Sequence, residues 1–438
     1  MYLPEAVNTC IHILEDAGAA CYAVGGCVRD ACLGLTPQDY DLCTAATPET
    51  VRRLFADYPL VLAGEKHGTV GVVTQQGVVE ITTFRTEGDY QDSRHPDWVK
   101  FTDTIEDDLA RRDFTVNAMA YSPTRGFADP FGGRVDLEAG ILRAVGHAPT
   151  RFREDALRIL RGVRFAVRFH LMPEKETLAA MVELATTMEK LAAERVFDEL
   201  CKLLPLVTAQ DLITFAPVLT AVLPELGPTV GFQQHSPHHL YDVFTHTAYV
   251  VEAAPGNLAV RWAALLHDVG KVPTFTQDEN GRGHFYGHAE ISAQMADAAL
   301  LRLKAPTQLR QQVVFLIQHH MQTVTPDRKL LRRLLSRYGE ENLRLLLALQ
   351  EADFHSKGVA GDTEDFFAVR AQLEELVAEN ACLRITDLAI DGHDLMALGY
   401  QGREIGQELE RLLNLVLEET LENAREALLS AAKKEKKS

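Results

Sequence analysis

The sequence lacks the features that would place it in several common protein classes. Its seven cysteines contain no Cys-x-x-Cys pair and are odd in number, which excludes a disulfide framework and a zinc ribbon and favours a reduced, cytoplasmic setting. No apolar run reaches the roughly 18 residues that a membrane span needs, so we expect no membrane partner. The first residues show no basic segment followed by an apolar core, so we expect no signal peptide.

The sequence also lacks an excess of basic over acidic residues. The 438 residues include 44 Lys and Arg against 62 Asp and Glu, a net charge of −18. This balance excludes a wholly basic nucleic-acid-binding surface but leaves room for a local basic stripe. A chain of this length predicts about three domains.

Segments of strand character are confined to the N-terminal third, whereas nearly every apolar segment after about Thr150 has helical periodicity. We therefore predict an α+β protein that is predominantly α, with an α/β head built on a small mixed sheet and helical domains after it. The predicted boundaries are a head over 1–145, a neck over 146–230, a histidine-rich domain over 231–360 and a helical body over 361–438.

The head contains a glycine turn and a group of carboxylates. Gly25-Gly26 is followed by Arg29, and Asp39 and Asp41 come shortly afterwards. On a strand, residues two apart face the same side, which would place these two carboxylates about 7 Å apart. Paired carboxylates suit Mg²⁺, and Glu80, on a predicted neighbouring strand, offers a third. The glycine turn lets backbone N–H groups approach phosphates.

These motifs resemble the nucleotidyltransferase superfamily, and most closely the bacterial class II tRNA nucleotidyltransferases and poly(A) polymerases. The resemblance extends from VGGCVRDACLG and QDYDLCT through DLARRDFTVNAMAY to RFREDALRILRGVRF. It implies that Asp39 and Asp41 hold Mg²⁺ and that the nucleotide contacts include Gly26, Arg29 and Arg112. Glu80 is the candidate to help place the metal ions or to take the hydroxyl proton in catalysis. Segment 86–99 resembles a loop of the members that add full CCA, which favours addition of CCA or of A.

A basic helix is predicted downstream of the head. At about 100° per residue, one face of this segment is apolar and the opposite face carries Asp155, Arg158, Arg161, Arg164 and Arg168. Guanidinium groups suit phosphates and base edges, and a neighbouring Asp and Arg can read the Watson–Crick edges of cytosine and adenine. The resemblance implies that Asp155 and Arg158 select CTP and ATP, with Arg161 and Arg164 as further nucleotide contacts. The alternative is a solvated helix face.

Histidines cluster in the middle of the chain, where residues 235–355 hold ten of the 16. The order His246, then His267-Asp268 before a Gly-Lys turn, then Asp353, resembles the HD metal-dependent phosphohydrolases. Imidazoles and carboxylates from separate helices can hold a divalent metal, here predicted to be a transition metal. His288, His319 and His320 are candidates for a second metal or are ordinary polar histidines. The resemblance implies phosphate monoesters or 2′,3′-cyclic phosphates at RNA ends as substrates.

The sequence thus predicts a template-independent enzyme that adds CCA to tRNA 3′ ends from CTP and ATP. Three alternatives stay open at this point: a poly(A) polymerase, an A-adding partner of a CC-adding enzyme, and a phosphohydrolase with a relic head. The segment RKLLRRLLSR, residues 328–337, offers either a path for an RNA backbone or a solvated helix face. Assembly as a homodimer is also left open.

Overall fold

The computed structural model describes residues 1–87, 99–236, 240–358, 364–379 and 381–436. The chain divides into two compact units, one formed by Met1–Gly227 with Arg302–Lys304 and the other by Pro228–Leu301 with Ala305–Ser438. Most of the 86–99 loop lies outside the described residues. The predicted division into four domains stays a prediction. Within the described part of the chain, no helix combines the length and apolarity that crossing a membrane requires.

The first unit begins with a mixed sheet of seven strands in the order β3-β4-β5-β2-β1-β8-β9. The strands of this unit are β1 (Cys21–Val24), β2 (Asp41–Thr44), β3 (Leu60–Val61), β4 (Thr69–Thr74), β5 (Gly77–Thr83), β6 (Arg85–Glu87), β7 (Val99–Phe101), β8 (Ala120–Ser122), β9 (Gly126–Ala128), β10 (Ile141–Leu142) and β11 (Met172–Pro173). β2 pairs antiparallel with β1 and parallel with β5. Strands β6 and β7 form a separate ribbon, as do β10 and β11. The predicted mixed sheet is confirmed.

Helices surround this sheet and continue beyond it. They are α1 (Glu5–Asp16), α2 (Gly26–Cys32), α3 (Pro48–Leu54), α4 (Ile105–Ala110), α5 (Gly133–Glu138), α6 (Ala148–Glu154), α7 (Leu157–Phe169), α8 (Lys175–Glu183), α9 (Ala193–Leu203), α10 (Ala209–Thr214) and α11 (Ala216–Val222). A core that includes Val24, Phe84 and Leu109 packs between the sheet and α4. α7 is amphipathic and buries ten of its 13 residues, so it serves as the central support of the neck.

The second unit is helical apart from the short ribbon of β12 (Thr276–Gln277) and β13 (Gly283–His284). Its helices are α12 (Val243–Ala253), α13 (Leu258–Leu266), α14 (Lys271–Thr274), α15 (His288–Arg302), α16 (Thr307–His319), α17 (Arg328–Tyr338), α18 (Glu340–His355), α19 (Glu364–Ala378), α20 (Gly392–Ala397), α21 (Arg403–Leu417) and α22 (Arg425–Glu435). α13 is apolar nearly all round and buries eight of its nine residues. It therefore lies at the centre of this unit, where α12, α16 and α18 pack around it.

Candidate functional sites

The first site lies where β1 ends and β2 begins, beside the middle of β5. Asp41 opens β2 and stands opposite both Val24 of β1 and Glu80 of β5 in the strand register. The prediction that Glu80 lies on a neighbouring strand is confirmed. The prediction that Asp39 and Asp41 share a strand is wrong, because β2 begins at Asp41. β1 ends at Val24, so residues before Asp41 have no partner on that strand.

The carboxylates are nevertheless close enough to influence one another. Reduced contact with water raises the pKa of Asp41, and repulsion from Glu80 and Asp39 raises it further, while Arg112 opposes both effects. A bound cation would reduce the repulsion among these neighbouring carboxylates. The donors are all oxygen atoms, the ligand type that Mg²⁺ prefers.

The turn beside these carboxylates requires glycine at position 25. Gly25 has a φ of 71°, in the region that only glycine adopts readily. A Cβ on Gly25 would also lie 2.6 Å from Nη1 of Arg112. Arg112 in turn donates to the fully buried Asp108 at 3.3 Å. The turn thus leaves room for a guanidinium next to Asp41, as the predicted contact between Arg112 and a phosphate would require.

Arg29 is more constrained than a surface cation. Its guanidinium donates to Asp30 at 2.6 Å and to the Asn117 side chain at 2.5 Å, and it stacks 4.1 Å from the ring of Phe169. Only 6% of Arg29 is exposed. The side chain is therefore fixed in position before any nucleotide arrives.

These groups surround a cleft of about 480 Å³. Its lining combines the glycine turn, one carboxylate of the sheet edge and a set of cations, and consists of Gly25, Gly26, Arg29, Asp41, Arg111, Arg112, Asp113, Asn117, Asp155, Leu157, Arg158, Arg161, Phe165 and Arg195. A volume of this size is typical of small-molecule sites.

The prediction of one continuous basic helix is wrong. α6 ends at Glu154, Asp155 has extended backbone angles, and α7 starts at Leu157. The break frees the Asp155 carboxylate, which accepts hydrogen bonds from the backbone N–H of Leu157 at 3.1 Å and from Arg195 at 2.8 Å. Asp155 therefore sits at a helix junction, and it lines the cleft because the chain bends there.

The predicted polar face of arginines, opposite the packed face of the helix, is likewise only partly present. Arg158 is 8% exposed and donates to Glu154 at 2.6 Å and to the Arg111 carbonyl at 3.0 Å. Arg164 is also 8% exposed and donates to the buried Glu199 of α9 at 2.6 Å. The cleft lining, so far as the described residues define it, does not include Arg164. Arg164 thus joins α7 to α9, and its predicted nucleotide contact is not supported.

Two residues that the sequence analysis missed organise the cleft. Asp113 accepts hydrogen bonds from Arg161 at 2.8 Å and from the Asn117 side chain at 3.0 Å. Burial alone would raise the pKa of Asp113, but Arg161 and Asn117 lower it to about 2. Arg195 fixes Asp155, as described above. The sequence feature that could have identified Arg195 is its position four residues before Glu199, which places both side chains on one face of α9.

The second site lies in the second unit and brings the four predicted HD ligands together. His246 comes from α12, His267 and Asp268 follow α13, and Asp353 comes from α18. Nε2 of His246 lies 3.0 Å from Oδ1 of Asp353, and Nε2 of His267 lies 3.2 Å from Oδ2 of Asp268. His246, His267 and Asp268 are buried and could hold a metal ion between them.

Two further histidines adjoin this group. Nε2 of His288 lies 3.5 Å from Oδ1 of Asp268 and 3.2 Å from Nε2 of His320. His319 takes no part, because its ring faces Phe315 and Tyr338 instead. Burial lowers the pKa of His288 and lowers that of His320 to about 4.

The charge of the cluster is balanced by two lysines. Nζ of Lys271 lies 2.7 Å from Oδ2 of Asp268, and Nζ of Lys357 lies 3.3 Å from Asp353. Burial disfavours the charged form of Asp268, but His267 and Lys271 hold its pKa well below the ordinary value. Burial also opposes ionisation of Asp353, but the hydrogen bond with His246 and the charges of His267 and Lys357 lower its pKa. These shifts favour the ionised form that a metal ion binds.

The predicted basic path at 328–337 is largely neutralised. Within α17, Arg328 and Arg332 both donate to Glu419, and Arg333 donates to Glu418 at 2.5 Å. These guanidinium groups join α17 to the C-terminal part of the unit. The alternative interpretation, a solvated helix face, therefore agrees better with these ion-paired, partly exposed side chains.

Asp41 and Glu80 lie on adjacent strands of a mixed sheet, beside a cleft lined with guanidinium groups. This is the arrangement of a nucleotidyltransferase. Residues 21–143 match the Poly A polymerase head domain. Residues 169–211 match a probable RNA and SrmB-binding site of polymerase A, and residues 274–432 match tRNA nucleotidyltransferase domain 2, putative.

Full-length relatives agree with these matches. The chain is 32% identical to the CCA-adding enzyme of Streptococcus mutans, with 99% of this chain and 98% of that protein aligned. It is 34% identical to the CCA-adding enzyme of Latilactobacillus sakei, over 96% and 95% of the two chains. The crystal structure of the Bacillus stearothermophilus CCA-adding enzyme in complex with CTP superposes with a TM-score of 0.75 at 27% identity, over 100% of this chain and 98% of that one. The chain belongs to the bacterial CCA-adding enzymes.

Proposed function

We propose that this CCA tRNA nucleotidyltransferase adds cytidine and adenosine to the tRNA 3′ end in the cleft of the first unit, with Asp39, Asp41 and Glu80 as its catalytic carboxylates. The observation that carries this assignment is the register that places Asp41 directly opposite Glu80 on adjacent parallel strands. Burial raises the pKa of Asp41, and the charges of Glu80 and Asp39 raise it further, which is consistent with a Mg²⁺ site.

When Mg²⁺ is bound, it would polarise the α-phosphate and favour ionisation of the tRNA 3′-hydroxyl. The protein's own contribution is orientation and charge. Arg29 is fixed by Asp30 and Asn117, and Arg112 is fixed by Asp108, so both cations stand ready for the phosphates of the incoming nucleotide. Asp39 and Glu80 are the two other carboxylates whose charges act on Asp41.

Nucleotide choice is assigned to the junction between α6 and α7. The Asp155 carboxylate can accept from the exocyclic amine of cytosine or adenine, and Arg158 can donate to ring or carbonyl acceptors. Arg195 holds Asp155, while Glu154 and two backbone carbonyls hold Arg158. Held in fixed positions, Asp155 and Arg158 can select the incoming nucleotide as a template made of protein. Arg161 is an additional nucleotide contact beside them.

The catalytic assignment is tested by replacing Asp41 with Asn. We expect CCA addition to fall about 1,000-fold or more, because one charge of the metal-binding edge is removed. tRNA affinity, measured by fluorescence anisotropy, should stay within about twofold, since the phosphate-facing cations are unchanged. The exposed Asp57→Asn is the matched control. Turnover near the parental level in Asp41→Asn would refute the assignment.

We further propose that the second unit is an HD-type phosphohydrolase acting on phosphate monoesters or 2′,3′-cyclic phosphates at RNA ends. The convergence of His246, His267, Asp268 and Asp353 supports it, because two imidazoles and two carboxylates suit a divalent transition metal. Such a metal would supply an activated water. Lys271 and Lys357, beside the two carboxylates, are placed to bind the substrate phosphate.

The phosphohydrolase proposal is tested with p-nitrophenyl phosphate and a cyclic-phosphate-ended oligonucleotide in the presence of Mn²⁺, Co²⁺ or Ni²⁺. Hydrolysis should require the metal and should disappear in His246→Gln, while CCA addition continues. His284→Gln, outside the ligand group, is the control. Failure of every metal to support hydrolysis would refute this second activity and leave CCA addition untouched.

A further inference from the structure

Two phenyl rings of α7 lie among the arginines of the cleft. Phe165 and Phe169 are four residues apart on this helix, and their rings stack with centroids 6.1 Å apart. The guanidinium carbon of Arg29, from α2, lies 4.1 Å from the ring centroid of Phe169 and 5.4 Å from that of Phe165. From α7 itself, Arg161 lies 5.2 Å and Arg164 lies 4.5 Å from the centroid of Phe165. Phe165 is therefore the side chain on which arginines from both helices meet.

Bringing these guanidinium groups together is electrostatically unfavourable. Burial lowers the pKa of Arg29, and the charge of Arg168 lowers it further, while Asp30 opposes both effects. Carboxylates offset part of the repulsion, since Asp30 accepts from Arg29 at 2.6 Å and Asp113 accepts from Arg161 at 2.8 Å. The negative face of an aromatic ring also attracts a cation, and the attraction is larger where the cation is removed from water. The rings thus stabilise neighbouring cations that would otherwise repel one another.

An aromatic ring differs from a carboxylate in what it leaves for a ligand. A carboxylate neutralises a guanidinium and occupies N–H donors in its plane, as Glu199 does for Arg164. A ring contacts the flat face instead, so the positive charge and the in-plane donors stay available. Phe165, Arg29 and Arg161 all line the cleft, and 35% of the Arg161 side chain is exposed. A ring at this position therefore suits cations that must be held in place and still bind a nucleotide.

We propose that Phe165 is a positioning residue for nucleotide binding, and that the faces of its ring hold the guanidinium groups of Arg29 and Arg161 at the cleft. This inference rests on the nucleotide contacts proposed above and adds the residue that keeps two of them in place. The triphosphate of the incoming nucleotide compensates these cations only once it has bound. Before that, the ring stabilises them without competing for the N–H donors that the nucleotide will use.

The test replaces Phe165 of the full-length chain with singly, doubly and triply fluorinated phenylalanine. Each fluorine weakens the negative face of the ring and changes its size little. We expect the KM for CTP, measured on a trimmed tRNA, to rise stepwise to about fivefold with three fluorines, while kcat stays within about twofold. The same series at Phe152, a fully buried ring that packs against Phe114, is the matched control and should leave KM within about twofold. Melting temperatures within about 3 °C of the parental value would show that every variant is folded.

Two arginine variants separate this inference from the contacts on which it rests. Arg29→Met and Arg161→Met should each raise the KM for CTP about tenfold or more. If they do, and the fluorinated Phe165 variants keep the parental KM, the positioning role is overturned and the nucleotide contacts stand. If neither arginine variant changes KM, the contacts and the inference are overturned together. Lower kcat and melting temperature at Phe165, without a stepwise dependence of KM on fluorine number, would show a purely structural ring and would also overturn the inference.

Discussion

Asp113 gives the sharpest quantitative prediction, because its energetics follow directly from its contacts. Its carboxylate accepts from Arg161 at 2.8 Å and from Asn117 at 3.0 Å, and only 7% of the residue is exposed. A pKa lowered from 3.8 to about 2 corresponds to about 2.5 kcal/mol of stabilisation at neutral pH. The substitution Asp113→Asn should remove about that amount, because its amide turns a donor toward the Arg161 guanidinium.

The sign of the pH dependence is fixed by the same contacts. A lowered pKa in the folded state stabilises the protein above pH 3.8, and the benefit is lost as the pH falls through about 2. About half of the 2.5 kcal/mol should therefore remain at pH 3. The difference in the free energy of unfolding between the parental chain and Asp113→Asn should shrink accordingly.

Hydrogen exchange read by mass spectrometry on peptides from residues 1–227 is the appropriate assay, since the two units need not unfold together. A loss of about 2.5 kcal/mol raises exchange through global unfolding of this unit about 70-fold at pH 7. Asp57→Asn, which removes an exposed carboxylate, should leave exchange within about twofold. If Asp113→Asn exchanges like Asp57→Asn, or if its deficit does not shrink at low pH, the reasoning is refuted.

Two further predictions concern one site each. Arg195→Met removes the cation 2.8 Å from Asp155 and should reduce discrimination between the correct and incorrect nucleotide about tenfold. Steady-state kinetics with CTP and ATP would measure this discrimination. Equal discrimination in Arg195→Met and in the exposed control Arg153→Met would contradict the prediction. Gly270→Ala places a Cβ 2.6 Å from the His288 carbonyl oxygen and from the Ser292 backbone nitrogen, so it should lower the melting temperature and weaken metal binding. The control Gly256→Ala, whose Cβ meets no atom within 4 Å, should do neither. Unchanged Mn²⁺ affinity in Gly270→Ala would contradict the prediction.

Local patterns predicted the elements on which both sites are built. Strand character in the N-terminal third and a glycine turn at Gly25-Gly26 were predicted, and strand β1 followed by this turn is present. The helical periodicity predicted after about Thr150 is confirmed by α13, the helix that precedes His267 and Asp268. These features succeed because periodicity and glycine geometry act over a few residues.

What the sequence did not predict depends on partners distant in the chain. The break at Asp155 was missed because the apolar period continues across it, although the Asp155 carboxylate accepts the backbone N–H of Leu157, the first residue of the new helix. The burial of Arg164 could not be foreseen, since its partner Glu199 lies on another helix. A basic face on a helix projection does not show whether a cation meets solvent, a ligand or a buried carboxylate.

The most direct test of the account uses the full-length chain with Mg²⁺ and a tRNA trimmed to the nucleotide before its CCA end. CTP alone, ATP alone and both together would be supplied, and the products sized to single-nucleotide resolution. The account predicts growth by two nucleotides with CTP and by three with both. Addition of a single A only to a tRNA already ending in CC, or a long ladder of A residues, would contradict CCA addition by this chain.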